Sequence, residues 1–308
     1  MDPLSDVLSL LKPKSAISAG LDAGGDWAIA FPPHEGIKFN AVLRGACWVQ
    51  VDGDAEGESE PRRIEAGDCF LLTRGRPFRF ATDLALPPVA SPTLYDRAVD
   101  GIATCNGGGD FFLVGGRFAF GEAAGLLLEA LPAIVYVPAA AGEQAAVLRW
   151  ALERLAAELK DRAPGGGLMA EHLAHIMLLQ VLRLWLAMAG AKPPGWLGAL
   201  ADPRLARALA ALHGEPGRRW TLAELAGQAG MSRSVFADRF RRAVGQPPLD
   251  YLTGWRMRLA AGRLRDTTES IAGIAFALGY RSEAAFSAGF RRFAGVPPGR
   301  YRRAARNG

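Results

Sequence analysis

The sequence predicts an α+β chain. A β-barrel is expected over residues 1–137, a helix pair over 138–190, a linker over 191–200, and an all-α domain with two helix-turn-helix units over 201–308. Three observations carry this reading. Residues 1–137 hold short apolar runs cut by Gly, Pro and Asp turns; from about residue 143 the apolar period becomes helical; and the last hundred residues contain an internal repeat. A chain of 308 residues also exceeds what one hydrophobic core usually fills.

After a short N-terminal helix, the runs IKFNAVLRGACWVQVDG, CFLLT, FRFATDL and FFLVGGRFAF read as strands of a sandwich or barrel. In CWVQVDG, alternation puts Cys47, Val49 and Val51 on one face and Trp48 and Gln50 on the other. The stretch AGDCFLLTRGRPFRF, residues 66–80, has turns at Gly67-Asp68 and Arg74-Gly75, which look like two strand ends of a small barrel.

In EQAAVLRWALERLAAELKD, residues Val147, Leu148, Trp150, Ala151, Leu152, Leu155 and Leu159 form one broad stripe. RAPGGG then breaks the chain, and a second helix from about Leu168 to Ala189 should pack antiparallel to the first. That second helix is apolar almost all round, so it predicts a homodimer seam. It approaches the length of a membrane span, but an arginine at the bilayer centre costs about 3 kcal/mol and Arg183 sits near its middle, so no membrane partner is expected. The start, MDPLSDVLSLLKPKS, carries acids where a secretory leader needs bases, which predicts a cytoplasmic protein. GAKPPGWLG, residues 190–198, reads as the interdomain linker, and Asp202-Pro203 as the N-cap and first residue of the next helix.

Charge is divided unevenly. Residues 201–308 hold 19 Arg, no Lys and 8 Asp or Glu, a balance of +11, whereas residues 1–200 stand at −6. A basic C-terminal domain on a roughly neutral or acidic N-terminal one predicts a nucleic-acid partner for the former.

The repeat gives that charge a purpose. LAELAGQAGMSRSVFADRFRRAVGQPPLDY (222–251) and IAGIAFALGYRSEAAFSAGFRRFAGVPPGRY (271–301) match at a spacing of 49 before the turn and 50 after it. Thr221 and Glu224 form a capping box, Gly230 ends the first helix, Ser232 caps the second, and Phe236 and Phe240 anchor it; Ser270, Gly279 and Ser282 fill the same roles in the second copy. The polar face of each second helix carries Arg233, Arg241 and Arg242, or Arg281, Arg291 and Arg292, suited to phosphates in a major groove. Between the copies, PLDYLTGWRMRLAAGRLRD predicts one long helix that fixes the two reading heads relative to each other.

On WTLAELAGQAGMS, FRRAVGQPPLDYLTGWRMRLA and IAFALGYRSEAAFSAGFRRFAGVPPGRY, the C-terminal domain resembles the paired helix-turn-helix of the AraC/XylS family of transcription regulators. The N-terminal part resembles that family's cupin-type sensor domain in AVLRGACWVQVDG, AGDCFLLTRGRPFRF and LLLEALPAIVYV. The resemblance implies a cytoplasmic, usually dimeric activator that senses a small-molecule effector, with RNA polymerase as a partner if it activates. It carries base reading to Ser234, Ala237 and Asp238 in the first copy and to Glu283, Ala284 and Ser287 in the second, with Ser282 among the phosphate contacts. Ala237 and Ala284 offer thymine methyl contact at most.

The cupin resemblance also places metal histidines at Phe78 and near Asn40, with His34 the only histidine nearby, so no metal or other cofactor is expected and the chain is read as no enzyme. Trp48, Phe70, Phe80 and Phe112 are the candidate effector-pocket residues. Cys105, in ATCNGGGD, is the cysteine expected to be accessible and is the candidate redox thiol, while Cys47 and Cys69 read as buried. His172 and His175 at i, i+3 read as packing histidines and His213 as a helix-end residue. Two other classes fit the same domains: a metal-dependent cupin enzyme fused to a DNA-binding tail, and an architectural DNA binder with an inert dimerisation barrel.

Overall fold

The computed structural model describes residues 2–53, 60–120, 125–139, 145–161, 163–188 and 195–307. The chain forms two compact units, Met1–Lys12 with Ala191–Gly308, and Pro13–Gly190. The first helix, α1 (Pro3–Leu11), therefore belongs to the C-terminal unit and not to the barrel. Its Leu4, Val7 and Leu11 are buried, it packs against a later helix of that unit, and Lys12 pairs with Asp266 at 2.9 Å. Sequence proximity assigned it to the barrel; its apolar face, which period alone cannot match to a partner, decides otherwise.

The barrel unit contains β1 (Lys14–Ala23), β2 (Ala28–Phe31), β3 (Ile37–Arg44), β4 (Ala46–Val51), β5 (Arg62–Glu65), β6 (Cys69–Leu72), β7 (Phe78–Ala81), β8 (Val89–Ala90), α2 (Ser91–Tyr95), β9 (Ile102–Cys105), β10 (Phe111–Ala119), α3 (Gly125–Leu128) and β11 (Ile134–Val137). One sheet runs β11-β6-β3-β10-β1-β9 and the other β5-β4-β7-β2-β8. Their inner faces enclose one core, to which the first sheet gives Leu21, Phe70, Leu72 and Leu113 and the second Ile29, Val49, Phe78 and Phe80. Burial alternates along β4 as its sequence predicts, with Cys47, Val49 and Val51 inside. The Gly67-Asp68 turn is held by the buried Asp68 carboxylate, which accepts from Glu65 N, Ala139 N and the Tyr136 hydroxyl at 2.8–2.9 Å.

Next come α4 (Ala146–Asp161) and α5 (Gly166–Met188), packed on each other, with α5 also against β11 and β1. Leu148, Ala151, Leu152 and Leu155 are buried, but Val147 and Trp150 are 46% and 54% exposed, so the stripe on α4 is wider than α5 covers. The side chain of Leu159 and residues 189–194 lie outside what the structure describes. No helix of the described residues is long and apolar enough to cross a membrane.

The C-terminal unit holds α6 (Gly195–Leu200), α7 (Pro203–Gly214), α8 (Leu222–Ala229), α9 (Arg233–Val244), α10 (Pro248–Asp266), α11 (Ile271–Ala277), α12 (Glu283–Ala294) and α13 (Pro298–Asn307). The expected linker 191–200 thus ends early: α6 buries Trp196, Leu197 and Ala199 and packs on α7 and α9. Asp202 caps α7, accepting from Arg204 N at 3.0 Å.

Candidate functional site

The two copies fold as the same device. Thr221 and Glu224 close a reciprocal capping box on α8, and the bonds from Thr221 and Arg218 hold the Glu224 carboxyl down at about 2. Gly230 (φ 61) and Gly279 (φ 82) make the left-handed turn after α8 and α11. Ser270 and Ser282 cap α11 and α12 through Gly273 N and Ala285 N. Ser232 differs: it stands at the N-cap of α9 but its side chain makes no cap bond. Phe236 and Phe240, and in the second copy Phe286 and Phe290, are fully buried and fix the orientation of α9 and α12.

That anchoring turns the arginines outward. Arg233, Arg241, Arg242, Arg281, Arg291 and Arg292 are all exposed, as are Ser282 and the base-reading candidates Ser234, Glu283 and Ala284. Ala237, Asp238 and Ser287 are half-buried. Asp238 is engaged on its own helix, 2.9 Å from Arg242 and 3.9 Å from Arg241, which holds those guanidiniums close together. Ser234, Ala237, Asp238 and Arg241 line one shallow concavity with Leu222 and Leu249, about 540 Å³ in volume.

The heads are joined in two ways. α10 is continuous for 19 residues, about 28 Å at 1.5 Å per residue, and packs against α9, α11, α12 and α13. Arg256 on α10 donates to Pro216 O and Arg218 O, clamping the loop before α8, and the backbone of that loop at Gly217 lies hard against Gly279 in the turn of the second copy. The long helix was legible in the sequence; the Arg256 clamp was not, because Arg256 reads there as one more surface cation.

A second concavity, about 310 Å³, lies in the barrel and is lined by Phe31, Lys38, Asn40, Phe78, Phe80, Tyr95 and Leu113 among others. Of the expected pocket residues only Phe80 lines it. Phe70 is in the core beside it, at 5.9 Å from Phe80. Trp48 is half-buried on the face of β4 opposite Val49, and Phe112 lies outside under the Arg44 guanidinium; it is Phe111 that points into the core. The period of two places Phe111 and Phe112 on opposite faces without saying which is inner.

Phe78, to which the resemblance assigns one metal histidine, and Asn40, near which it places the others, both line this concavity. They do not suit a metal: a phenyl ring has no donor atom, and the Lys38 ammonium lies 5.0 Å from the Phe78 ring centroid. Among the described residues no three His, Cys, Asp or Glu converge on a possible metal position. His172 is exposed, whereas His175 places its ring nitrogens on Glu171 O and Pro13 O.

Cys105 is not accessible as expected. It ends β9 at 6% exposure, and burial raises its thiol pKa, so its environment opposes the thiolate a redox sensor needs.

Comparison with known proteins agrees with both halves of this description. The cupin family matches residues 2–187 and the helix-turn-helix domain family residues 225–304. A putative AraC-like transcription regulator of Streptomyces lividans is 50% identical over 98% of each chain. The HTH-type transcriptional regulator AlkR of Acinetobacter baylyi is 38% identical, over 98% of this chain and 99% of its own. Among solved structures, the DNA-binding domain of AdpA in complex with a target DNA is 34% identical over 34% of this chain and 95% of that one, with a TM-score of 0.33. Carrying a cupin domain and a paired helix-turn-helix on one chain, the protein belongs to the AraC-like transcription regulators.

Proposed function

We propose that this regulator reads double-stranded DNA by placing α9 and α12 in successive major-groove segments on one face of the duplex, and that its barrel governs this by binding a small-molecule effector. Ser234, Asp238, Glu283 and Ser287 meet base edges, Ala237 and Ala284 meet thymine methyls, and the arginines flanking them together with Ser282 hold phosphates. The observation that carries this is the matched pair of outward arginine faces on helices fixed through one continuous α10. The barrel acts as sensor and not as catalyst, since Phe78, where a metal site would need a donor, has none and the Lys38 ammonium lies against its ring.

The exposed Val147 and Trp150 on α4, with Ile176 and Met188 on α5, support a homodimer through the helix pair in a cytoplasmic protein. RNA polymerase becomes a further partner if the protein activates. Footprinting of the full chain on genomic fragments tests the reading. Two protected segments about 34 Å apart on one face are expected; protection without sequence preference would leave only an architectural binder.

A further inference from the structure

Among the described residues, the barrel concavity holds a cation without a counter-ion and an amide donor without an acceptor. We propose that it takes a small monoanionic organic acid, whose carboxylate meets Lys38 Nζ and Asn40 Nδ2 while its apolar body lies against Phe31, Phe78 and Phe80. The inference rests on the barrel being the effector site and names the chemistry of that effector.

Lys38 and Asn40 are two residues apart on β3 and so share a face. Asn40 is 5% exposed, and among the described residues its Nδ2 has no hydrogen-bond partner. A buried polar group left unmatched is destabilising, and that loss is recovered when a ligand oxygen accepts from it. Directly across the ladder stands Gly115, where a Cβ would come within 3.0 Å of Asn40 Oδ1. The glycine thus leaves room for the amide.

Lys38 lies over Phe31 and Phe78 at 5.1 and 5.0 Å, and those rings stack on each other at 4.6 Å and 5°. That cation–π contact only partly offsets the hydration the half-buried ammonium has lost, because ring faces are weaker partners for it than water or a carboxylate. Among the described residues Lys38 has no ion pair, and no acid lines the concavity. Burial, reinforced by the neighbouring charge of Arg117, lowers its pKa. A bound anion would reverse that.

The rest of the ligand follows from shape. A volume of about 310 Å³ is near the lower end for ligand pockets, so the occupant is a single ring or a short chain. A neutral ligand would leave the ammonium uncompensated. Inorganic phosphate would leave the phenyl floor uncovered.

Calorimetry on the full chain with phenylacetate and hexanoate, beside phenylacetamide and hexanamide, tests this. At least one acid should bind one-to-one, with its amide at least about ten-fold weaker, or 1.4 kcal/mol. Lys38→Met should erase that discrimination while raising the melting temperature without ligand, and Lys38→Arg should keep it. Equal binding of acid and amide, or discrimination surviving Lys38→Met, overturns the charge assignment and leaves the effector reading standing. Binding of neither overturns the proposed acid, and a thermal-shift screen of uncharged ring compounds then judges the effector reading separately.

Discussion

His213 Nε2 lies 2.7 Å from the Tyr251 hydroxyl, and the same imidazole stacks on Trp255 at 4.1 Å between centroids. Asp6 Oδ2 stands 3.6 Å from Nδ1, so α1, α7 and α10 meet at one ring. The carboxylate favours the imidazolium, and burial favours the neutral ring. Burial wins, holding the His213 pKa down at about 4.

The sign of the pH effect follows. Between about 4 and 6.5 the unfolded chain takes up a proton that the native ring refuses, so native stability falls as pH drops through that window. The ceiling is about 3 kcal/mol. His34 in the barrel, also lowered to about 4 by burial, acts in the same direction. We expect His213→Phe to reduce the slope seen in urea midpoints between pH 4.5 and 6.5. A slope identical to the parent protein's would show that His213 is not the titrating group.

The paired turn glycines make unequal demands. Both have positive φ, which costs a residue with a Cβ about 1–2 kcal/mol. At Gly230 the nearest atom to an added Cβ is the end of Arg207 at 3.7 Å, but at Gly279 it is the Gly217 carbonyl oxygen at 2.2 Å. Gly230→Ala should therefore cost about the conformational term alone, whereas Gly279→Ala must move backbone and should destabilise clearly more. Thermal melts of the two variants would decide; equal losses would mean that the second turn opens without strain.

For DNA, the exposed guanidinium of Arg291 and the carboxylate of Glu283 in the first turn of α12 predict different signatures. Arg291→Ala should weaken binding to all sequences and reduce the salt slope by about 1. Glu283→Ala should cost about 1–3 kcal/mol at particular base pairs. Anisotropy titrations over a randomised operator at several salt concentrations separate them, and uniform weakening by Glu283→Ala would remove it from base reading.

What the sequence made legible was local and periodic. The capping box, the turn glycines and the buried phenylalanines of both copies stand where spacing puts them, because each is fixed within a few residues of chain. The departures are tertiary. α1 packs with helices some two hundred residues away, and His213 became a core residue because Tyr251 and Trp255 of α10 and Asp6 of α1 converge on it. In the barrel, alternation defined two faces per strand, but Lys38 and Asn40 became pocket residues only when β10, β7 and α2 closed around β3. A lone lysine between Ile37 and Phe39 gives no such signal.

The thiols provide a last prediction, against an oxidant sensor. Cys47, Cys69 and Cys105 are 3%, 2% and 6% exposed, and burial raises all three pKa values. The glycine-rich segment after Cys105, the context in which the sequence suggests an accessible thiol, is pinned by hydrogen bonds. Gly24 N and Gly108 N donate to Cys105 O, Gly109 N donates to Asp22, and Asn106 Nδ2 donates to Asp26 O at 2.7 Å. The thiolate is the reactive species, so the native protein should react with a chromogenic disulfide far more slowly than the denatured chain. An oxidant response, if present, should survive Cys105→Ser. Rapid modification of native Cys105 alone would mean that this segment opens in solution and would restore the thiol as a sensor.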